Sequence, residues 1–242
     1  MSAPRVYVPE LAEAAATVGA LCPLPDAEAH HVTRVMRLAT GDPLILFNGR
    51  GVSWDAEIAE RSARHVSARI TRARAIPAAA PARLTLAVGL LKGDAMDDVV
   101  RDATALGVAE IVPMLTAHVV VPKRARGDEA VARWHRVAVA SAKQCGQTRL
   151  PVIAAVTAFE DVLRVPGTKL LCVEPALGGA DLTAMASDEV AILIGPEGGW
   201  SAEEIVAARA AGCHAITLGP LTLRAELAPV VAITRVWSAL ST

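Results

Sequence analysis

The sequence predicts an α/β protein, with a small, mostly β unit followed by a larger domain on a mainly parallel sheet. Three observations lead there. From Arg83 onward, strand-like and helix-like stretches alternate, as parallel strands joined by crossover helices require. Over roughly the first 75 residues, short apolar runs are instead punctuated by turn chemistry. Between the two, residues 75–81 (AIPAAAP) break any periodicity and read as a linker. The expected division is therefore 1–75 and 76–242.

In the first unit the strand-like runs are residues 5–8, 43–47, 52–58 and 65–70, with a turn at Asn48-Gly49-Arg50-Gly51. Residues 26–36 (DAEAHHVTRVM) read as one short helix, with Asp26 as N-cap and Val32, Val35 and Met36 on its apolar face. In the second unit, residues 84–90 form a buried-looking strand. Met96, Val99, Val100, Ala103 and Leu106 then follow helical spacing over 94–106 until Gly107 stops it. A strand over 110–115 and a helix over 128–145 come next. Strands are further expected at 169–173, 190–194 and 214–218, and helices at 201–211 and from about Arg224 to Leu240.

Composition narrows the function. The 242 residues are 53% hydrophobic and 20% charged, with a mean hydropathy of +0.39, which excludes a disordered chain. Aromatics are 3% against 49 alanines, so the core is built from Ala, Val, Leu and Ile, and base stacking on aromatic platforms is disfavoured as the main recognition mode. No run reaches 18 uninterrupted apolar residues, and the start MSAPRVYVPE lacks a basic n-region and an apolar h-region. The expectation is a cytoplasmic protein with no membrane partner. Cys22, Cys145, Cys172 and Cys213 are far apart and read as four buried thiols, with no metal site. The net charge of −1 does not by itself imply a polyanion partner. Residues 117–150, however, hold Lys123, Arg124, Arg126, Arg133, Arg136, Lys143 and Arg149 against Asp128 and Glu129, a local +5. Phosphate contact is one reading of that patch, and a solvated helix face is the other.

The strongest local signal is residues 190–204, VAILIGPEGGWSAEE. An apolar strand ending in Ile194 runs into Gly195-Pro196-Glu197-Gly198-Gly199, and Ser201 to Glu204 has the spacing of a capping box. Strand, glycine loop and helix is where α/β proteins place a ligand, and adjacent glycines let it lie on bare backbone. The loop is neither GxGxxG nor GxxxxGK[ST]. Some 20 residues later the pattern returns as Leu218-Gly219-Pro220-Leu221-Thr222-Leu223-Arg224-Ala225-Glu226. Arg224 and Glu226 are its charged residues, candidates for substrate polarisation and proton handling. A structural ion pair for Arg224 and dipole compensation in a helical first turn for Glu226 are the competing readings.

GPEGGWSAEE followed by LGPLTLRAE, with LKGD at 91–94, ATALGV at 103–108, Arg133-Trp134 and KQCG at 143–146, resembles the 16S ribosomal RNA uridine-N3 methyltransferases, the RsmE family of the SPOUT class. HHVTRVMR at 30–37, Gly41-Asp42 and Phe47-Asn48-Gly49-Arg50-Gly51 are similar to that family's RNA-binding barrel. The resemblance implies a PUA-like β-barrel over 1–75 and a SPOUT domain with a trefoil knot over 76–242. It implies S-adenosylmethionine bound by Glu174, Pro175, Ile194, Gly195, Pro196, Glu197, Gly198, Gly199, Leu218, Gly219, Thr222 and Leu223. It further implies a homodimer acting on 16S ribosomal RNA or the small ribosomal subunit, not DNA, with Arg224 and Glu226 in catalysis. RNA contact falls to Arg34, Arg37, Arg124, Arg126 and Arg133. Leu221 stands where the family usually has arginine, Thr222 where it has isoleucine, and Leu227 where it has threonine. These departures motivate a second reading, an RNA-binding protein of the same fold with weakened catalysis. A third, a small-molecule enzyme with an accessory β domain, is disfavoured by the basic stretch and the missing nucleotide fingerprint.

Overall fold

A computed structural model describes residues 3–62, 65–78, 80–121, 126–182 and 186–240. The chain divides into two compact units, Met1–Ala78 with Ala142–Leu150, and Ala79–Ser141 with Pro151–Thr242.

The first unit contains β1 (Arg5–Tyr7), β2 (Leu21–Pro23), α1 (Asp26–His30), β3 (Pro43–Phe47), β4 (Ser53–Arg61) and β5 (Val66–Ala73). Its sheet runs β1-β3-β4-β5-β2. β1 is parallel to β3, and the remaining pairs are antiparallel. Side chains alternate across a strand, so Trp54, Ala56 and Ile58 of β4 share the core with Leu44, Leu46 and Ile70. The segment 142–150 belongs here because it is tied down at several points. Lys143 pairs with Glu28, Arg5 donates to the Gln147 carbonyl at 2.9 Å, and the Gly51 amide donates to the Thr148 carbonyl at 3.0 Å.

The helix expected over 26–36 is shorter than its sequence suggests. Its N-cap is Pro25 rather than Asp26, with no side-chain cap, and after His30 it widens into a π turn over His31–Val35. The Thr33 hydroxyl donates to the Ala29 carbonyl at 2.7 Å and competes with the backbone ladder. The wider turn swings later side chains off the inward face. Val32 is fully buried, whereas Val35 is 63% and Met36 39% exposed.

The second unit contains β6 (Arg83–Gly89), α2 (Ala95–Ala105), β7 (Glu110–Leu115), α3 (Asp128–Cys145), β8 (Val152–Ile153), β9 (Thr157–Ala158), α4 (Phe159–Val162), β10 (Thr168–Cys172), β11 (Glu189–Ile194), α5 (Ala202–Ala210), β12 (His214–Ile216) and α6 (Ala228–Leu240). The last turn of α3 falls in the first unit. The expected parallel sheet is found, in the order β12-β10-β11-β6-β7-β8 with β9 also on β7, and every pairing is parallel. Its central strands are near-continuous buried runs, as a sheet covered on both faces demands. Phe159 and Val162 of α4 and Ala208 of α5 pack with Ala87, Leu171 and Leu193, while α6 packs on α2 and β11. Each fully buried Leu or Ile contributes about 1.5–3 kcal/mol.

Two expectations need correction. Cys145, the last residue of α3, is exposed, unlike Cys22, Cys172 and Cys213, which are buried. The last helix starts at Ala228, so Arg224 and Glu226 precede it. Pro229 explains the late start: it suits a first helical turn, where its missing N–H costs nothing.

Candidate cofactor site

β10, β11 and β12 run parallel, so their carboxyl ends share one edge of the sheet, and three loops distant in sequence open side by side. After β10 come Val173, Glu174 and a 3₁₀ turn over Pro175–Leu177. After β11 comes the glycine loop, and after β12 a stretch leading to α6. Together they enclose a cavity of about 350 Å³, within the range of small-ligand pockets.

Of the residues expected to hold the cofactor, all line this cavity except Gly198, Gly199 and Gly219. Gly198 serves a different contact. A Cβ there would lie 2.7 Å from the Cβ of His118, so its bareness admits the 116–118 turn rather than a ligand. The His118 ring nitrogen Nδ1 lies 2.9 Å from the Gly198 carbonyl and 3.2 Å from that of Gly199; with two acceptors facing it, Nδ1 carries the proton. A second close approach comes from Gly89, where a Cβ would sit 2.6 Å from the Pro196 nitrogen. The sequence carried no sign of either contact.

The capping box forms as expected and does more than cap α5. The Ser201 hydroxyl accepts from the Glu204 amide at 3.2 Å, and Glu204 Oε2 accepts from the Ser201 amide at 2.9 Å. Glu204 Oε1 accepts from the Ala117 amide at 2.7 Å. One carboxylate thus fixes the far end of the glycine loop to the 116–118 turn. Glu197, at the near end, accepts from the Lys92 amide at 3.0 Å through Oε1. The loop is fastened at both ends by the protein's own groups, which lowers the ordering cost of binding.

The cavity also contains residues that were not among those expected to hold the cofactor. Cys172, Val173, Trp200 and Leu221 line it. Burial pushes the Cys172 thiol up to about 12, so it is a neutral wall and not a nucleophile. Arg224 and Glu226, the expected catalytic pair, both reach the cavity. Their closest approach, Nη1 to Oε1, is 3.8 Å, with the Arg224 side chain 87% exposed. So loose and solvated a pair leaves the guanidinium available to another partner.

A family model for an RNA methyltransferase domain matches residues 78–237, and one for an RNA methyltransferase PUA domain matches residues 24–71. Ribosomal RNA small subunit methyltransferase E of Synechocystis is 31% identical over 221 residues, spanning 88% of this chain and 71% of that protein. This chain belongs to the ribosomal RNA small subunit methyltransferase E family. The methyltransferase E of Bacillus subtilis is 26% identical over 223 residues, 86% of each chain. Among solved structures, methyltransferase E of Neisseria gonorrhoeae bound to S-adenosylmethionine superposes with a TM-score of 0.89 at 28% identity, covering 98% of both chains. A methyltransferase of Legionella pneumophila, also with that cofactor, gives 0.86 at 28% identity, covering 99% of this chain and 98% of the other.

The basic residues expected to meet RNA in this methyltransferase E family member have varied surroundings. Arg34 and Arg37 are exposed on the first unit. Arg124 lies outside the described residues. Arg126 turns back to donate from Nε to the Val121 carbonyl at 2.8 Å. Arg133 pairs with Asp94 at 2.7 Å and with Asp97. A local charge count weighs Arg133 as a free cation, because its partners 36 and 39 residues away are invisible to it, and it reports nothing of the backbone carbonyl that Arg126 meets five residues back.

Proposed function

We propose that this protein binds S-adenosylmethionine in the three-loop cavity and methylates N3 of a uridine in 16S ribosomal RNA of the small ribosomal subunit. The carrying observation is the convergence of Glu174, the glycine loop and the exposed Arg224 on one cavity. Residues 1–75 are read as the RNA-binding barrel and 76–242 as the SPOUT domain with its trefoil knot. The working molecule is read as a cytoplasmic homodimer with C2 symmetry, one subunit's cavity facing RNA-contacting groups of the other.

The residues present suit that cofactor. Ile194, Val173 and Leu223 offer apolar walls, and the carboxylates of Glu174 and Glu197 offer acceptors for hydroxyls and a counter-charge for cations. When bound, S-adenosylmethionine supplies a methyl group already activated on a sulfonium. The protein's task is then positioning and proton handling. Uridine N3 carries a proton at neutral pH, and as that proton is lost, negative charge spreads onto the ring carbonyls. Arg224, exposed at the cavity, stabilises that charge. Glu226, or a group from the partner subunit, accepts the proton.

A second reading, RNA binding with weakened catalysis, draws on Leu221, which is 74% exposed beside the cavity where the resembled family usually has arginine. Primer extension on ribosomal RNA separates the two, since N3 methylation blocks Watson–Crick pairing. A cofactor-dependent stop is the expected result. A wild-type protein that binds RNA but produces no stop overturns the catalytic reading.

A further inference from the structure

Two cavity walls are joined by an arginine that lies outside the cavity. Arg235 is on α6 and is largely buried, its side chain 28% exposed. Its Nη1 donates to the Thr217 carbonyl at 2.9 Å, and its Nη2 pairs with Asp181 Oδ1. Thr217 immediately precedes the loop that carries Leu218, Thr222 and Leu223. Asp181 lies four residues beyond the 3₁₀ turn over Pro175–Leu177. Between these points the Ala180 amide donates to the Ala215 carbonyl at 3.0 Å, and the Thr217 amide donates to the Ala180 carbonyl at 3.2 Å. Thr217 is therefore held through its N–H by one wall segment and through its C=O by Arg235.

We propose that Arg235 is a positioning residue that sets the spacing between the 174–177 turn and the 218–223 loop. The proposal rests on reading the cavity as the S-adenosylmethionine site. Asp181 is 80% exposed, and an ion pair so open to water contributes little energy. The value of the contact is geometric. A planar guanidinium presents donors at fixed spacing, so one side chain holds acceptors on two segments at once, whereas a lysine ammonium is a point charge without that fork. The hydrogen bond to the Thr217 carbonyl is charge-assisted and is the stronger arm.

The test compares wild type with Arg235→Gln, Arg235→Lys and Asp181→Asn. Its readouts are calorimetric affinity for S-adenosylmethionine, KM and kcat for that cofactor, and the melting temperature of the unliganded protein. Arg235→Gln should raise Kd and KM together by about tenfold, the scale of one charge-assisted hydrogen bond. The rate at saturating cofactor should fall by less than about twofold. Arg235→Lys should recover less than half of the lost affinity on a logarithmic scale, and Asp181→Asn should fall between wild type and Arg235→Gln. Wild-type affinity in Arg235→Gln or in Arg235→Lys overturns the proposal, as does an affinity loss that tracks a comparable loss of melting temperature. If Arg235→Gln does not fold, Asp181→Asn carries the test, and unchanged affinity there overturns it. A wild-type protein that binds no S-adenosylmethionine overturns the cofactor reading itself, an outcome distinct from the variants matching a wild type that binds.

Discussion

The indole N–H of Trp200 donates to the backbone carbonyl of Cys172 at 2.8 Å, so the end of the glycine loop after β11 is fastened to the last residue of the neighbouring strand β10. The ring also packs against Phe159, centroids 5.3 Å apart. Trp200→Phe keeps most of the packing and deletes the donor. The expected cost is about 1 kcal/mol in chemical denaturation, with weaker S-adenosylmethionine binding by calorimetry. Unchanged affinity would mean that the loop holds its shape without this bond.

Gly198→Ala should weaken cofactor binding by displacing the 116–118 turn and not by filling the cavity, because the added Cβ meets His118 at 2.7 Å. Replacing His118 by glycine removes the opposing Cβ. In a double-mutant cycle the Gly198→Ala penalty should shrink in the His118→Gly background. Strict additivity of the two binding losses argues against this contact.

Arg224→Ala should lower the single-turnover methylation rate by roughly a hundred- to a thousand-fold, the usual loss on removing one preorganised donor to a developing anion. S-adenosylmethionine affinity should stay nearly constant, since the guanidinium acts on charge that exists in the transition state. A parallel loss of affinity and rate would place Arg224 in the binding loop instead.

Arg133→Ala should leave the salt dependence of RNA binding almost unchanged, because its guanidinium is already paired with Asp94 and Asp97. Its exposed pairs cost under about 1 kcal/mol of stability when lost. Arg136, exposed on the same helix with no ion pair among the described residues, is the better phosphate candidate. Arg136→Ala should flatten the slope of log affinity against log salt by roughly one unit. The reverse ranking in a salt titration refutes the assignment.

Burial raises the Cys172 thiol to about 12. A group whose pKa is higher folded than unfolded adds its stability below the unfolded value, about 8.5 for a thiol. That stability is lost as pH climbs from there towards about 12, because the unfolded chain releases the proton first. The denaturation midpoint should therefore fall above about pH 9, less steeply in Cys172→Ala. At pH 8, iodoacetamide should alkylate exposed Cys145 and spare buried Cys172.

Most strands and helices of the second unit were legible because local signals agree. β7 and α3 match their expected spans, Glu110–Leu115 and Asp128–Cys145, since apolar periodicity is continuous there and Gly107 ends α2 cleanly. β2, β8, β9 and α4 were missed; they span two to four residues, too few for a period to show. α1 was overextended because a π turn leaves no mark on a helical apolar pattern. In the site, the glycine loops and the Arg224 and Glu226 pair stood out through residue type. The counter-residues His118, Gly89 and Arg235 did not, nor did the bond from the Ala117 amide to Glu204, since each matters through a contact made across the fold.

By itself the sequence determined the α/β class, the parallel sheet, the two glycine loops and the family resemblance, because strand periods, caps and glycines act over a few residues and are written locally. Tertiary structure alone decided which residues of the loops after β10, β11 and β12 reach the shared cavity, that Gly198 faces His118 and not the ligand space, and that Arg133 is paired rather than free. The reason is physical. Parallel pairing places strands 20 to 45 residues apart side by side with their carboxyl ends on one edge, and no local pattern reports which distant groups then meet there.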